Sequence, residues 1–169
     1  TGIVDALRQH VFAELREAPA FFPHFARDAL NFKPPVMLFG RVLMGGPKKA
    51  HRGLLDLKSA TLPIVAFARL YALRHDIAQT GTLDRLDALA EAGKIAPASR
   101  DEITATYTFL TRLRLHQQAL SIHSGNAPNN LVELRRLGYT DRTLLRQAFA
   151  HIRVLQRRIA YDFLGGTQG

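Results

Sequence analysis

With 169 residues, 47% of them apolar and 22% charged, the chain has the length and balance of one globular domain with a continuous core. The lack of cysteine excludes disulfides, thiolate metal sites and thiol nucleophiles, and fits a reducing compartment. A net charge of +9 directs attention to phosphates, nucleic acid or acidic partners, while no apolar run comes near the roughly 20 residues that span a bilayer.

The opening residues TGIVDALRQHV carry no signal-peptide pattern and read as a helix already under way, so the natural protein is expected to extend upstream of Thr1. Ile3, Leu7, Val11 and Leu15 recur every four residues and predict a helix over 3–17. A second helix is expected over 19–30, with Pro19 and Pro23 near its first turn and Lys33-Pro34-Pro35 as its stop. VMLFGRVLM at 36–44 is the most strand-like stretch. The basic, turn-rich GGPKKAHRG and then LLDL follow it, an irregular crossover over 36–57 that has room for a short hairpin.

The next helix is expected from Ser59 to Asp76, with Pro63 in its first turns. Ile64, Phe67, Tyr71 and Val65, Ala68, Ala72 form two adjacent rows, so much of its surface should be buried. A short amphipathic helix is expected within 80–93, with Thr82 as N-cap, Asp84 near the positive end of the dipole and Gly93 as the stop. Ser99 and Glu102 have capping-box spacing and open a long helix that Gly125 closes. Its inner face is expected to carry Ile103, Tyr107, Leu110, Leu113, Gln117 and Leu120. The last helix starts near Thr140, with Leu145, Ala148, Ile152, Leu155, Ile159 and Phe163 as its buried stripe and Arg142, Arg146, Arg153 and Arg157 largely outside it. The whole reads as an all-α bundle of about six helices. Residues 1–164 form one domain, and 165–169 a frayed tail.

Charge is uneven along this plan. Between 59 and 98, Arg69, Arg74, Arg85 and Lys94 balance Asp76, Asp84, Asp87 and Glu91, whereas residues 99–169 hold ten basic side chains against five acidic. None of the seven histidines, at 10, 24, 51, 75, 116, 123 and 151, makes the one-turn pair that zinc uses. His116 and His123 lie two turns apart, about 10 Å along a helix and too far for one metal. No carboxylate pair at the spacing that phosphoryl-transfer metals use, no Walker loop and no Gly-x-Ser-x-Gly elbow is present. Asp56 and Lys58 flank Leu57 and share a face if the stretch is extended, where they could grip a polar ligand or tie the crossover to the bundle. RLRLHQQ at 112–118 places Arg112 and His116 one turn apart, with Arg114 beside them. Together with Lys58 they offer a pocket for a phosphate or carboxylate, or else a solvated face. Nucleic-acid binding is the weaker use of this charge: there is no tryptophan, no recognisable motif and no aromatic residue between these arginines.

HRGLLDLKSATLPIVAFARLYALRHDIAQTGTLDRLDALAEAGKI, residues 51–95, resembles the helical C-terminal domain of a bacterial family, the substrate-binding domain associated with nucleotidyltransferases (the DUF294 C-terminal family). The likeness is carried by His51, Arg52, Gly53, Leu55, Asp56, Leu57 and Lys58, by Pro63, Ile64, Val65, Ala68 and Arg69, and by Thr80, Thr82, Leu83, Arg85 and Leu86. FLTRLRLHQQ and RTLLRQAFAHIRVLQRRI extend it, as does ARDALNFKPPVMLFGR near the start. The resemblance implies a bundle placed after a nucleotidyltransferase catalytic domain in a cytoplasmic signal-transduction protein, often beside a cyclic-nucleotide-binding domain and CBS modules. It places the catalytic carboxylates, the nucleotide and its magnesium in that upstream domain, so this chain alone is expected to be catalytically inert, with no cofactor of its own. Its partners would be the upstream domain and an acceptor substrate, with Asp56, Lys58, Arg112, Arg114 and His116 as the ligand-facing candidates. No membrane partner is expected. The competing reading is a helical interaction or dimerisation module without a small-molecule site.

Overall fold

A computed structural model describes residues 2–31 and 54–165, together with the backbone of 36–38 and 41–43. Six helices are present among the described residues: α1 Ile3–Glu17, α2 Phe21–Leu30, α3 Leu57–Arg74, α4 Thr82–Glu91, α5 Pro97–His123 and α6 Tyr139–Leu164. Two small antiparallel ladders accompany them. β1 (Val36–Leu38) pairs with β2 (Arg41–Leu43), with Val36 opposite Leu43, as the strand-like reading of this stretch anticipated. β3 (Leu54–Asp56) pairs with β4 (Leu131–Glu133), with Leu55 opposite Val132. The basic loop 44–53, the Lys33-Pro34-Pro35 stop and tail residues 166–169 lie outside the described residues.

Helix α3 is the axis of the bundle and packs against α2, α4, α5 and α6. Leu57, Ala60, Ile64, Phe67, Ala68, Leu70, Tyr71 and Ala72 are all buried, so apolar residues surround it on nearly every side, as the two expected rows require. Small residues line its neighbour: α2 buries Ala26 and Ala29. On α6, Leu145, Ala148, Ile152, Leu155, Ile159 and Phe163 are buried as their spacing predicts, and Arg142, Arg146, Arg153 and Arg157 are exposed. One contiguous apolar cluster joins α2, α3, α4, α5, α6 and the β3–β4 ladder.

Several local expectations are corrected. α3 begins at Leu57, not Ser59, because Asp56 caps it: its carboxylate accepts from Lys58 N–H at 2.9 Å and from Ser59 Oγ at 2.6 Å. Pro63 stands in the second turn of α3, among its first turns as expected. Thr82 is the first helical residue of α4, and Gly81 is the cap; the Asp84 side chain folds back over Gly81 and occupies that end. Ser99 and Glu102 form no capping box, since Pro97 already occupies the first position of α5 and the helix starts before Ser99 is reached. Gly93 and Gly125 end α4 and α5 in the left-handed region, as read from sequence; after Gly125 the Asn126 N–H returns to Ser121 C=O at 2.9 Å. On α1 only Phe12 is buried, while Ile3, Val4, Leu7 and Val11, members of or neighbours to the predicted stripe, remain exposed.

Polar clamps tie the helices where the core thins. Tyr71 Oη donates to Asp162, and burial followed by that carboxylate pushes its phenol well above the ordinary range. Arg158 lies 3.6 Å from the same carboxylate, and Arg74 stacks 4.8 Å from the Phe163 ring centre. Between α5 and α6, Thr106 Oγ1 donates to Glu102 C=O at 2.8 Å and stands 2.8 Å from His151 Nδ1. The same ring turns Nε2 to within 3.6 Å of a Glu102 carboxylate oxygen. Burial holds His151 below the usual histidine range, and the exposed Glu102 only partly opposes it.

Two outcomes follow from this packing. Ile159→Ala should cost about 2–5 kcal/mol in urea unfolding, whereas Ile3→Ser should stay within about 0.5 kcal/mol. A histidine that resists protonation in the fold binds fewer protons there than in the unfolded chain, so stability should fall as pH drops below 6.5, the ordinary value from which His151 and His75 are both lowered. Urea midpoints read between about pH 7.5 and 5 should decline, with a shallower slope in His151→Gln; an unchanged slope would show that His151 does not titrate in this window.

Candidate functional site

A long concavity follows one face of α5. Phe109, Arg112, Leu113, His116, Gln117, Leu120, Ser121 and Ser124 recur at three- and four-residue steps, so they lie on a single stripe. The facing wall comes from β4, the 3₁₀ turn Leu134–Arg136 and the first turns of α6. The result is a groove of about 690 Å³ that adjoins a second of about 510 Å³. Leu113, His116 and Asp141 line both, and so mark where the two meet. Leu120, expected on the inner face of α5, is instead half exposed and lines the groove, because the β4 segment stands off from this part of the helix.

The segment 126–131 is sewn to α5 by side-chain amides. Asn129 Nδ2 donates to Ser121 Oγ at 3.0 Å, and Ser121 Oγ donates to Gln117 C=O at 3.0 Å. Asn129 Oδ1 in turn accepts from Leu131 N–H at 3.0 Å. Asn130 reaches both halves of the chain. Its carbonyl accepts from Leu57 N–H at 2.9 Å, and its Oδ1 accepts from Arg114 Nε at 2.7 Å and Gln118 Nε2 at 3.0 Å. These bonds fix β4 against β3 and hold the groove wall in place.

The groove is amphipathic. Leu113, Leu120, Leu131 and Leu137 offer apolar contact, and Ser124, Asn126, Gln117 and His116 offer hydrogen bonds. Glu133 accepts from Arg135 and Arg136; the Arg135 bond is the main cause holding its carboxyl below the usual range, so it is ionised at neutral pH. Asp141, in the first turn of α6, has no ion-pair partner among the described residues and lines the junction of the two grooves together with His116 and Leu113. The lining thus presents hydrogen-bonding groups and one or two charges to the groove. Among the described residues no group of three or more His, Asp or Glu side chains is placed to hold a metal ion.

Of the residues singled out from sequence, Arg112 and His116 line the grooves, on one face of α5 as their spacing required. Arg114 points instead to Asn130 and serves the loop. Asp56 and Lys58 do not share an extended face: β3 ends at Asp56, the helix starts at Leu57, and the Asp56 carboxylate is spent on the cap. Lys58 is exposed and lines neither groove. Sequence reasoning passed over Asp141, Glu133, Arg136, Ser121 and the pair Asn129-Asn130. The turn-rich SGNAPNN followed by alternating LVEL was the available signal.

The class the fold defines is an all-α bundle with a groove along one side. The particular family agrees: residues 19–163 match the model described as "Putative nucleotidyltransferase substrate binding domain", and the chain belongs to that family. The match takes in both walls of the groove and begins after α1. No curated protein and no solved structure matches the chain.

The cap and the amide hub make separable predictions. Asp56→Ala should lower stability by about 1 kcal/mol, and Asn130→Ala, which strands Arg114 and Gln118, by about 1–3 kcal/mol. Lys58→Ala should change it by less than about 0.5 kcal/mol. Chemical denaturation of the three variants checks the order, and a Lys58→Ala loss equal to that of Asn130→Ala would contradict it.

Proposed function

We propose that this chain is the non-catalytic, acceptor-binding wall of a nucleotidyltransferase, and that the α5–β4–α6 groove receives the acceptor. The observation that carries this reading is the junction of the two grooves, which His116, Asp141 and Leu113 line together. A hydroxyl or amine group seated there meets one carboxylate and one imidazole, while Arg112 stands one turn away for an anionic substituent. In this reading the nucleotide, its magnesium and the reacting carboxylates belong to a catalytic domain upstream in the same polypeptide. The cellular setting is a bacterial cytoplasmic signalling protein with CBS and cyclic-nucleotide-binding modules. The family description supports a substrate-binding role of this kind.

A second reading rests on α1. It precedes the family match and leaves Ile3, Val4 and Leu7 exposed, which favours contact with another domain or a second copy of the chain.

The test uses the complete polypeptide, with nucleotide transfer measured against candidate acceptors. His116→Gln combined with Asp141→Asn should raise the acceptor KM by about tenfold or more and leave the nucleotide KM unchanged, as expected when interactions to one substrate alone are removed. Lys58→Ala should change neither. An unchanged acceptor KM in the double variant would remove the groove from the mechanism. Transfer that persists after deletion of residues 19–163 would favour the interaction reading.

A further inference from the structure

The two grooves on α5 differ in their linings. In the larger one, Glu133 is already paired with Arg136, and amides and hydroxyls supply much of the remaining polarity. The smaller one, of about 510 Å³, is mainly apolar, with Phe109, Leu113, Leu115, Ala119 and Leu144 in its walls. Leu115 and Leu144 are exposed, so this apolar surface is open to a ligand. Two full charges interrupt it: Arg112 on α5 and Asp141 in the first turn of α6.

These two opposite charges line one pocket without pairing with each other. Neither side chain has an ion-pair partner among the described residues. Three and four residues from Arg112 stand Thr108, Phe109, Leu115 and His116, none of them acidic. Three and four residues from Asp141 stand Leu137, Gly138, Leu144 and Leu145, none of them basic. The segments 32–53 and 166–169 contain no Asp or Glu, so no carboxylate side chain there is available to Arg112. The positive end of α6 favours a carboxylate at Asp141, but it offers Arg112 no partner.

We propose that the smaller groove binds a free apolar α-amino acid, with its ammonium at Asp141, its carboxylate at Arg112 and its side chain among Phe109, Leu113 and Leu144. The inference rests on the reading of this face as the acceptor wall, and it gives the acceptor a chemical class. A lone anion would suit Arg112 and be repelled by Asp141, and a lone cation would meet the reverse. A neutral sugar would bury part of both charges and compensate neither. A zwitterion compensates both, and the planar fork of Arg112 matches a carboxylate. An α-amino acid carries its two charges on one carbon, which leaves an apolar body free for the rest of the pocket. An ω-amino acid places its methylenes between the charges and has no such body to offer.

The test is calorimetric titration of the complete polypeptide, without nucleotide, with leucine and with four compounds that each lack one feature. Isocaproate is leucine without the ammonium, isoamylamine is leucine without the carboxylate, glycine has the head without the body, and ε-aminocaproate has the body between the charges. Leucine should bind saturably, and each of the four about tenfold or more weakly than leucine. Arg112→Gln should weaken leucine about tenfold or more and should not weaken isoamylamine, which has no carboxylate to lose. Asp141→Asn should weaken leucine similarly and should not weaken isocaproate. A merely structural role for either residue would weaken all ligands alike. Lys58→Ala should keep the parent affinity. No saturable binding of leucine, equal affinity for leucine and any of the four, or an equal loss of leucine and isoamylamine in Arg112→Gln would overturn the site. The two claims fail separately. Absent leucine binding with a raised acceptor KM in the His116→Gln, Asp141→Asn variant overturns the amino-acid class and spares the groove. Leucine binding in the expected pattern with an unchanged acceptor KM supports the site and overturns its use as the acceptor wall.

Discussion

Asn130 is the residue on which the arrangement of the two halves depends. Its backbone carbonyl receives Leu57 N–H, the first amide of α3, and its side-chain oxygen receives Arg114 and Gln118 from α5. One short ladder, β3 with β4, continues the same connection. A three-residue strand pair has little stability of its own. Here it lies on an apolar cluster through Leu55 and Val132, and amide bonds finish it at one end. The start of α3 and the wall of the α5 groove are therefore set by the same few groups. A change that loosens the groove wall should also loosen the start of the central helix.

That coupling gives Asp56 its place. A carboxylate beside an exposed lysine in a basic protein invites a ligand-binding interpretation. Once the strand ends and the helix begins between them, the carboxylate has two donors within reach, Lys58 N–H and Ser59 Oγ, and both are satisfied. The family-like LDLK stretch is thus accounted for by backbone requirements: a β residue pointing inward at Leu55, a cap at Asp56 and a fully buried first helical residue at Leu57. The groove is built from rigid elements that this junction places, rather than from the junction's own charges.

The helices were legible in the sequence because their apolar spacing was strong. α6 shows this best, with every predicted stripe residue buried and its arginines outside. α3 was legible as a central helix for the opposite reason, apolar residues on adjoining rows rather than one. Local chemistry misled where two caps competed. Ser99 with Glu102 had the right spacing, but Pro97 fits the first helical position and the chain turns there first. α1 misled differently: a regular apolar repeat establishes a helix, yet says nothing of what covers it. The groove was legible only in part. Arg112 and His116 could be paired through helical geometry, whereas Asp141, Glu133 and Asn130 reach the site through a loop and a three-residue strand, elements too short for periodicity to register.

Net charge is a poor guide to where such a protein binds. Much of its positive charge is either paired, as at Arg100 and Arg158, or carried on the outer face of α6, where water screens it. Exposed arginines of that kind attract anions weakly and without position. Position arises where the fold replaces water with a fixed partner: Arg114 is half-buried, and Asn130 Oδ1 accepts from its Nε at 2.7 Å, so its place is set within the chain.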